Sequence, residues 1–153
     1  MSEELVIGLD IGTTGLKGIV IDDKGNILYE RTEKQDLLSP YVGWAEEKPD
    51  VWWENTIMIL RNISSKFGKE NIKAIGVSGM VPALVLLDRE LKPIRNSIQQ
   101  NDARTLEEIE YIKQKLDEDQ IFEHTGTVIS QQTIPPKLLW LKKHEKEYFN
   151  RIE

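Results

Sequence analysis

Leu5-Val6-Ile7-Gly8-Leu9-Asp10-Ile11-Gly12-Thr13-Thr14-Gly15-Leu16-Lys17-Gly18-Ile19-Val20-Ile21-Asp22 is the stretch on which the fold turns. Two apolar runs flank a tight loop that carries a carboxylate, glycines, two hydroxyls and a lysine. Runs rich in Val and Ile on either side of such a loop predict a strand over Leu5 to Leu9, a second over Gly18 to Ile21, and a hairpin between them. Glycine lets a backbone approach phosphate oxygens closely, amides and Thr hydroxyls donate to them, and a carboxylate at a strand end can hold Mg²⁺ through its water shell. The loop therefore proposes a nucleotide.

Working outward, Asp23-Lys24-Gly25-Asn26 turns the chain into a third strand near Ile27 to Thr32, which makes an antiparallel meander. Leu37 to Lys48 is irregular and contains Pro40 and Gly43. Pro49-Asp50 starts a helix that Asp50 can cap, and Trp52, Thr56, Ile59, Ile63 and Phe67 share one of its faces. Ile72 to Val77 reads as a buried strand, with Leu84 to Leu87 as its continuation or partner. Between them lies Ser78-Gly79-Met80-Val81-Pro82, a place where binding loops commonly sit. Asp102 is placed to cap a helix with the stripe Leu106, Ile109, Ile112 and Leu116. A further helix is predicted from Pro136, burying Leu138, Leu139 and Trp140. The order of elements makes the chain α/β.

The bulk composition narrows the function classes. With 153 residues, 39% of them hydrophobic and 30% charged, the chain suffices for one folded domain. A formal charge of -6 argues against a nucleic-acid surface and favours small-molecule partners. There is no cysteine, hence no disulfide framework and no thiolate chemistry, and His124 and His144 are isolated, so a metal here is oxygen-bound. The first apolar run is too short for a membrane span and follows Ser2-Glu3-Glu4 rather than a basic start, so a cytoplasmic protein without a membrane partner is expected.

Several segments then agree with one family. The opening hairpin resembles the first phosphate motif of the actin, heat-shock chaperone and sugar kinase superfamily. Gly43-Trp44-Ala45-Glu46 with Pro49 and Trp52-Trp53, Ile75-Gly76-Val77-Ser78-Gly79, Asn101-Asp102-Ala103-Arg104-Thr105, Thr125-Gly126 and Pro136-Lys137-Leu138-Leu139-Trp140-Leu141-Lys142 resemble, in order, segments of the xylulokinase-like FGGY carbohydrate kinases. The resemblance implies a ribonuclease-H-like mixed sheet with flanking helices, of the actin and hexokinase superfamily. It also implies transfer of phosphate from ATP, with Mg²⁺, to a sugar hydroxyl, in a protein that can form a homodimer. Family members are longer and have two domains, so residues 1–153 correspond to an N-terminal domain. The nucleotide domain and the aspartate that deprotonates the acceptor would lie outside this chain, which alone would be inactive.

Within that resemblance Asp10 is the catalytic and Mg²⁺-holding acid, its plain alternative being a turn cap. Gly12, Thr13 and Thr14 cradle phosphate, or else simply form a hairpin turn. Lys17 either reaches a phosphate or is solvated. Met80, Val81, Gln100, Asp102, Arg104 and Gln132 are the implied sugar contacts, although Asp102 and Arg104 are equally able to cap a helix and pair with each other. Glu46 is expected to order its loop, and the four tryptophans to be structural.

The chain departs from the family pattern in its substrate loop. Val81 and Pro82 stand where polar sugar ligands are usual, Gln100 replaces the tryptophan of "WNDxR", and Gln132 falls about where glycerol kinases present a tyrosine. A hydroxyl left without its ligand loses about 1–3 kcal/mol. Two amides in place of ring faces suit a more hydroxylated ligand than glycerol, so a pentulose such as xylulose is expected. Two other classes share the hairpin: a nucleotide-driven switch of the actin-like or dehydratase-activator type, whose activators usually add cluster-binding cysteines, and a non-catalytic sugar sensor.

Overall fold

The computed structural model describes residues 4–152; Ser2 and Glu3, read above as the start of the chain, lie outside the described residues, as does the last residue of the 1–153 span. The chain divides into two compact units, one built from the chain up to Leu37 with Pro49–Met80, the other from Leu38–Lys48 with Val81 onward.

The first unit is a four-stranded sheet. Strands β1 (Leu5–Gly12), β2 (Gly15–Ile21) and β3 (Ile27–Lys34) form the expected antiparallel meander, and β5 (Ile72–Gly79) pairs parallel to β1, giving the order β3-β2-β1-β5. Helix α1 (Pro49–Phe67) makes the crossover that parallel pairing requires. Because side chains alternate along a strand, Leu5, Ile7 and Leu9 turn to one face. There they pack with Leu16, Val20, Ile59 and Ile63 into a buried core. Fully burying each of those two α1 isoleucines stabilises the unit by about 1.5–3 kcal/mol. Asn55 joins them as a buried residue of α1, while Trp52, Thr56 and Phe67, expected on the same face, are half-buried.

The register carries the other set of side chains to the opposite face. Asp10 stands across from Lys17 on β2 and beside Ser78 on β5, and Gly8 across from Ile19 and beside Gly76.

One expectation is corrected here. Ile72 to Val77 reads as a buried strand because it is nearly all apolar, yet Ile75 is 50% and Val77 65% exposed. The strand lies at the sheet edge, with neither its outer edge paired nor these side chains covered among the described residues. Leu84 to Leu87 does not continue it either. Leu84 bridges Ile98, and Leu87 bridges Pro93, inside the second unit.

That second unit holds a two-stranded ribbon, β4 (Glu46–Glu47) with β6 (Ser97–Ile98), and four helices: α2 (Leu106–Lys115), α3 (Glu118–Thr125), α4 (Ile134–His144) and the short α5 (Lys146–Phe149). Leu86, Ile94, Ile98, Trp140 and Leu141 form one core, and Ile109, Ile112 and Ile129 another. Leu106 and Leu116, the ends of the expected stripe on α2, are exposed. Thr105, not Asp102, occupies the position before α2. Helix α3 is an addition to the elements expected from the sequence. Its signals are present: Asp117 accepts from the amides of Asp119 and Gln120, and Gly126 ends the helix at φ 69°. Among the described residues no helix is long and apolar enough to cross a membrane.

Gly18 explains how α1 approaches β2 so closely: a Cβ there would collide with Cγ2 of buried Ile59, whereas a Cβ on Gly76 would meet nothing within 4 Å. Gly18→Ala should therefore cost about 1–3 kcal/mol through overpacking, and Gly76→Ala less than about 0.5 kcal/mol. Urea denaturation midpoints check the contrast; equal losses at the two sites would remove this account of the contact.

Candidate functional site

In the first unit the hairpin between β1 and β2 is built so that its tip stays free for something else. Gln35, just beyond β3 and buried, donates from its side-chain amide to the Gly12 carbonyl and from its backbone to Thr14 O at 3.3 Å. Both carbonyls are thus tied down from below. A side chain on Gly15 is excluded because its Cβ would sit 2.9 Å from the Glu33 carbonyl. The hydroxyls of Thr13 and Thr14 have no hydrogen-bond partner among the described residues.

Asp10 ends the apolar part of β1 as an exposed residue. Its Oδ1 accepts from Ser78 Oγ at 2.7 Å, which fixes the carboxylate and leaves its other oxygen without a partner among the described residues. An open groove of about 450 Å³ runs along this face, lined by Gly8, Asp10, Lys17, Ile19, Gly76 and Ser78 among others. Lys17 Nζ lies 3.3 Å from Glu30 Oε1, with both side chains about half exposed. A pair so exposed contributes little, so Lys17 is readily released to an anion. Among the described residues no group of three His, Cys, Asp or Glu could hold a metal. A lone carboxylate beside hydroxyls fits a hard cation that keeps most of its water, as Mg²⁺ does. Met80 follows β5, its amide donating to Ile11 O at 3.0 Å.

The second unit gathers motif residues differently. Asp102 accepts from the Ala45 amide at 2.7 Å, from the Arg104 amide at 3.0 Å and from Arg104 Nε at 2.8 Å. Arg104 Nη2 reaches Asp102 Oδ2 at 2.8 Å and Glu46 Oε1 at 2.7 Å. Glu46 also pairs with Arg95 and accepts from Asn96 Nδ2 at 3.0 Å, and Arg95 Nε lies 3.0 Å from Glu145 Oε2. The Arg104 guanidinium sits 3.7 Å over the Trp44 ring and 5.0 Å from that of Trp140. Burial works against the Arg104 charge, but the hydrogen bonds it donates to Asp102 and Glu46 outweigh it and raise its pKa above the ordinary value. Burial pushes the Glu145 carboxyl up despite Arg95.

Asp102 and Arg104, expected as sugar contacts, lie inside this cluster. Asp102 and the Arg104 side chain are both 0% exposed; Asp102 is held by Ala45 and Arg104, and Arg104 by Asp102 and Glu46, while Arg104 Nη1 is buried with no hydrogen-bond partner among the described residues. Of their two readings, the internal pair is what the fold contains, as a buried cluster rather than a surface one. Glu46 orders its loop through this same cluster. Gln100 is half-buried at the centre of the turn preceding them. Val81 is 75% exposed. Gln132 is exposed and lines, with Pro82, Ile112, Leu116, Ile121 and Thr127 among others, a largely apolar cavity of about 790 Å³. His124 lies on the surface and His144 stacks on Trp140, neither near a metal-ligand set. The sequence gives no role to Gln35, for which no pattern exists, to Arg95 and Glu145 of the cluster, or to Lys137, which is 0% exposed although lysine is ordinarily a surface residue.

The pattern of the FGGY family of carbohydrate kinases, N-terminal domain, matches residues 5–153. A xylulose kinase of Staphylococcus xylosus is 35% identical over 147 residues, which are 96% of this chain and 30% of that protein. The crystal structure of xylulose kinase from Rhodospirillum rubrum superposes with a TM-score of 0.91 at 36% identity, covering 97% of this chain and 31% of that one. Gluconate kinase from Lactobacillus acidophilus gives 0.88 at 30% identity, covering 99% and 30%. The chain thus spans about 30% of the length of the relatives it matches. With the mixed sheet and its flanking helix being those of the actin and hexokinase ribonuclease-H-like fold, the chain belongs to the FGGY family of carbohydrate kinases and corresponds to part of its N-terminal domain.

Proposed function

We propose that the protein to which these residues belong phosphorylates a hydroxyl of a sugar, a pentulose such as xylulose, with ATP as donor. The observation that carries this reading is Asp10: an exposed carboxylate on an otherwise apolar strand, held by Ser78, over an open groove and beside the Thr13-Thr14 hairpin. Relatives described as xylulose kinases support the substrate class.

Phosphoryl transfer has a loose, charge-rich transition state, so catalysis is mostly positioning and electrostatics. In this reading the hairpin at Gly12, Thr13 and Thr14 donates to phosphate oxygens from amides and hydroxyls, and Lys17 exchanges Glu30 for a phosphate oxygen. Asp10 would hold Mg²⁺, which when bound would neutralise charge on the phosphate oxygens. Ser78 keeps the Asp10 carboxylate in one orientation. Met80, Val81, Gln100 and Gln132 contact the sugar, while Asp102 and Arg104 support the loop that carries Gln100. The nucleotide-holding domain and the base that accepts the hydroxyl proton belong to the remainder of the protein. The same reading places it with its ATP in the cytoplasm, as a monomer or a homodimer.

In the full-length protein, Asp10→Ala is expected to lower kcat by about 10²–10³ without unfolding the protein, since the side chain is exposed and outside the core. Steady-state kinetics with circular dichroism check it, and near-normal turnover would remove Asp10 from the mechanism. Isothermal titration against a sugar panel should show pentulose binding well ahead of glycerol; a marked preference for glycerol would overturn the substrate assignment.

A further inference from the structure

Lys137 is a buried ionisable group that the proposed reaction leaves without a task. It projects from α4, is 0% exposed, and donates from Nζ to the Gln99 carbonyl at 2.9 Å. That carbonyl also accepts from the Asp102 amide at 3.3 Å, closing the turn Gln99-Gln100-Asn101-Asp102. Gln99 is itself anchored, its amide donating to Ala45 O at 3.0 Å and its side chain to Ser97 Oγ at 2.7 Å. On the other side Asp102 is held by Ala45 and Arg104. The two central residues of the turn, half-buried Gln100 and exposed Asn101, thus lie between ends that are both fixed.

We propose that Lys137 is a positioning residue for sugar binding, whose ammonium clamps the Gln99 carbonyl and so fixes where the Gln99–Asp102 turn presents the Gln100 amide. The proposal rests on the kinase reading above, with Gln100 as a sugar contact. Burying an ammonium is costly, and burial lowers the Lys137 pKa while the Asp102 charge raises it. A surface-facing lysine, or a Leu in the same core, would avoid that cost. What the lysine adds is a strong donor at a carbonyl that already carries one bond, together with a positive charge near the Asp102 carboxylate.

A double-mutant cycle in the full-length protein tests it, with D-xylulose as the varied substrate. Lys137→Met is expected to raise the KM for xylulose about tenfold while leaving the KM for ATP and sugar-independent ATP hydrolysis within twofold. Gln100→Ala should raise the xylulose KM similarly. Because Lys137 acts through Gln100, adding Lys137→Met to Gln100→Ala should change the KM by less than twofold. Fully additive losses, an unchanged xylulose KM, or equal shifts for ATP and sugar would each overturn the proposal. If Lys137→Met fails to fold, the same cycle is run with Lys137→Arg, which keeps the cation but not its point geometry. A wild-type protein that phosphorylates none of a panel of sugars would instead sink the kinase reading, so the two failures are told apart.

Discussion

Alternation along β1 is the constraint on which the first unit depends. Leu5, Ile7 and Leu9 face α1, and Asp10, one residue out of phase, faces away. A one-residue slip in register would exchange the two sets, exposing the aliphatic side chains and pressing a carboxylate under α1. Either change is expensive, the second because an unpaired buried carboxylate has no compensation. The same alternation places Lys17 across from Asp10 and Ser78 beside it, on neighbouring strands. A core rule thus delivers a polar cluster to one end of the open face, without any residue being chosen for the fold alone. Gly18 and Gly15 serve the arrangement from within, by letting α1 and β3 come close to β2.

The second unit solves a different problem, since its centre is charged. Glu46, Asp102 and Glu145 face Arg95, Arg104 and Lys137, three acids to three bases, most of them deeply buried. Buried ion pairs repay their desolvation only with good geometry and further hydrogen bonds, and removing one member strands another. Backbone donors at Ala45 and Arg104 supply those further bonds to Asp102, and the faces of Trp44 and Trp140 cover the Arg104 guanidinium. Sequence-distant motifs are thereby tied together: the Gly-Trp-Ala-Glu run, the Asp-x-Arg run and the Pro-Lys-Leu-Leu-Trp helix.

What was legible in the chain follows from which signals are local. The meander, α1 and the existence of α4 declare themselves by periodicity, a turn sequence and helix-starting prolines, although α4 begins at Ile134 rather than at the expected Pro136. Helix α3 is legible as well, its Asp117 cap and Gly126 stop being ordinary markers. The exposure of β5 was not legible, because an apolar strand reads the same whether or not something covers it. The burial of Asp102 and Arg104 was equally hidden. Two polar residues before a helix look alike as ligand, surface pair or core cluster, and the distant partners Ala45, Glu46 and Trp44 that surround them leave no mark in the local pattern. Gln35 acts through contacts with Gly12 and Thr14 that no local pattern encodes.

The difference between residues that hold and residues that touch then comes down to burial within a single turn. Gln99 and Asp102 point their hydrogen bonds inward, to Ser97, Ala45 and Arg104, and have no surface to offer. Gln100 and Asn101 lie between them with solvent access. A contact residue whose neighbours on both sides are anchored loses little conformational freedom on meeting a ligand, so its hydrogen bonds discriminate more sharply than the same amide on a loose loop. Under the proposed function the turn presents the donors and acceptor of the Gln100 amide, where a tryptophan would present a ring face. The frame and the contact are separable, and a change of ligand preference needs only the second.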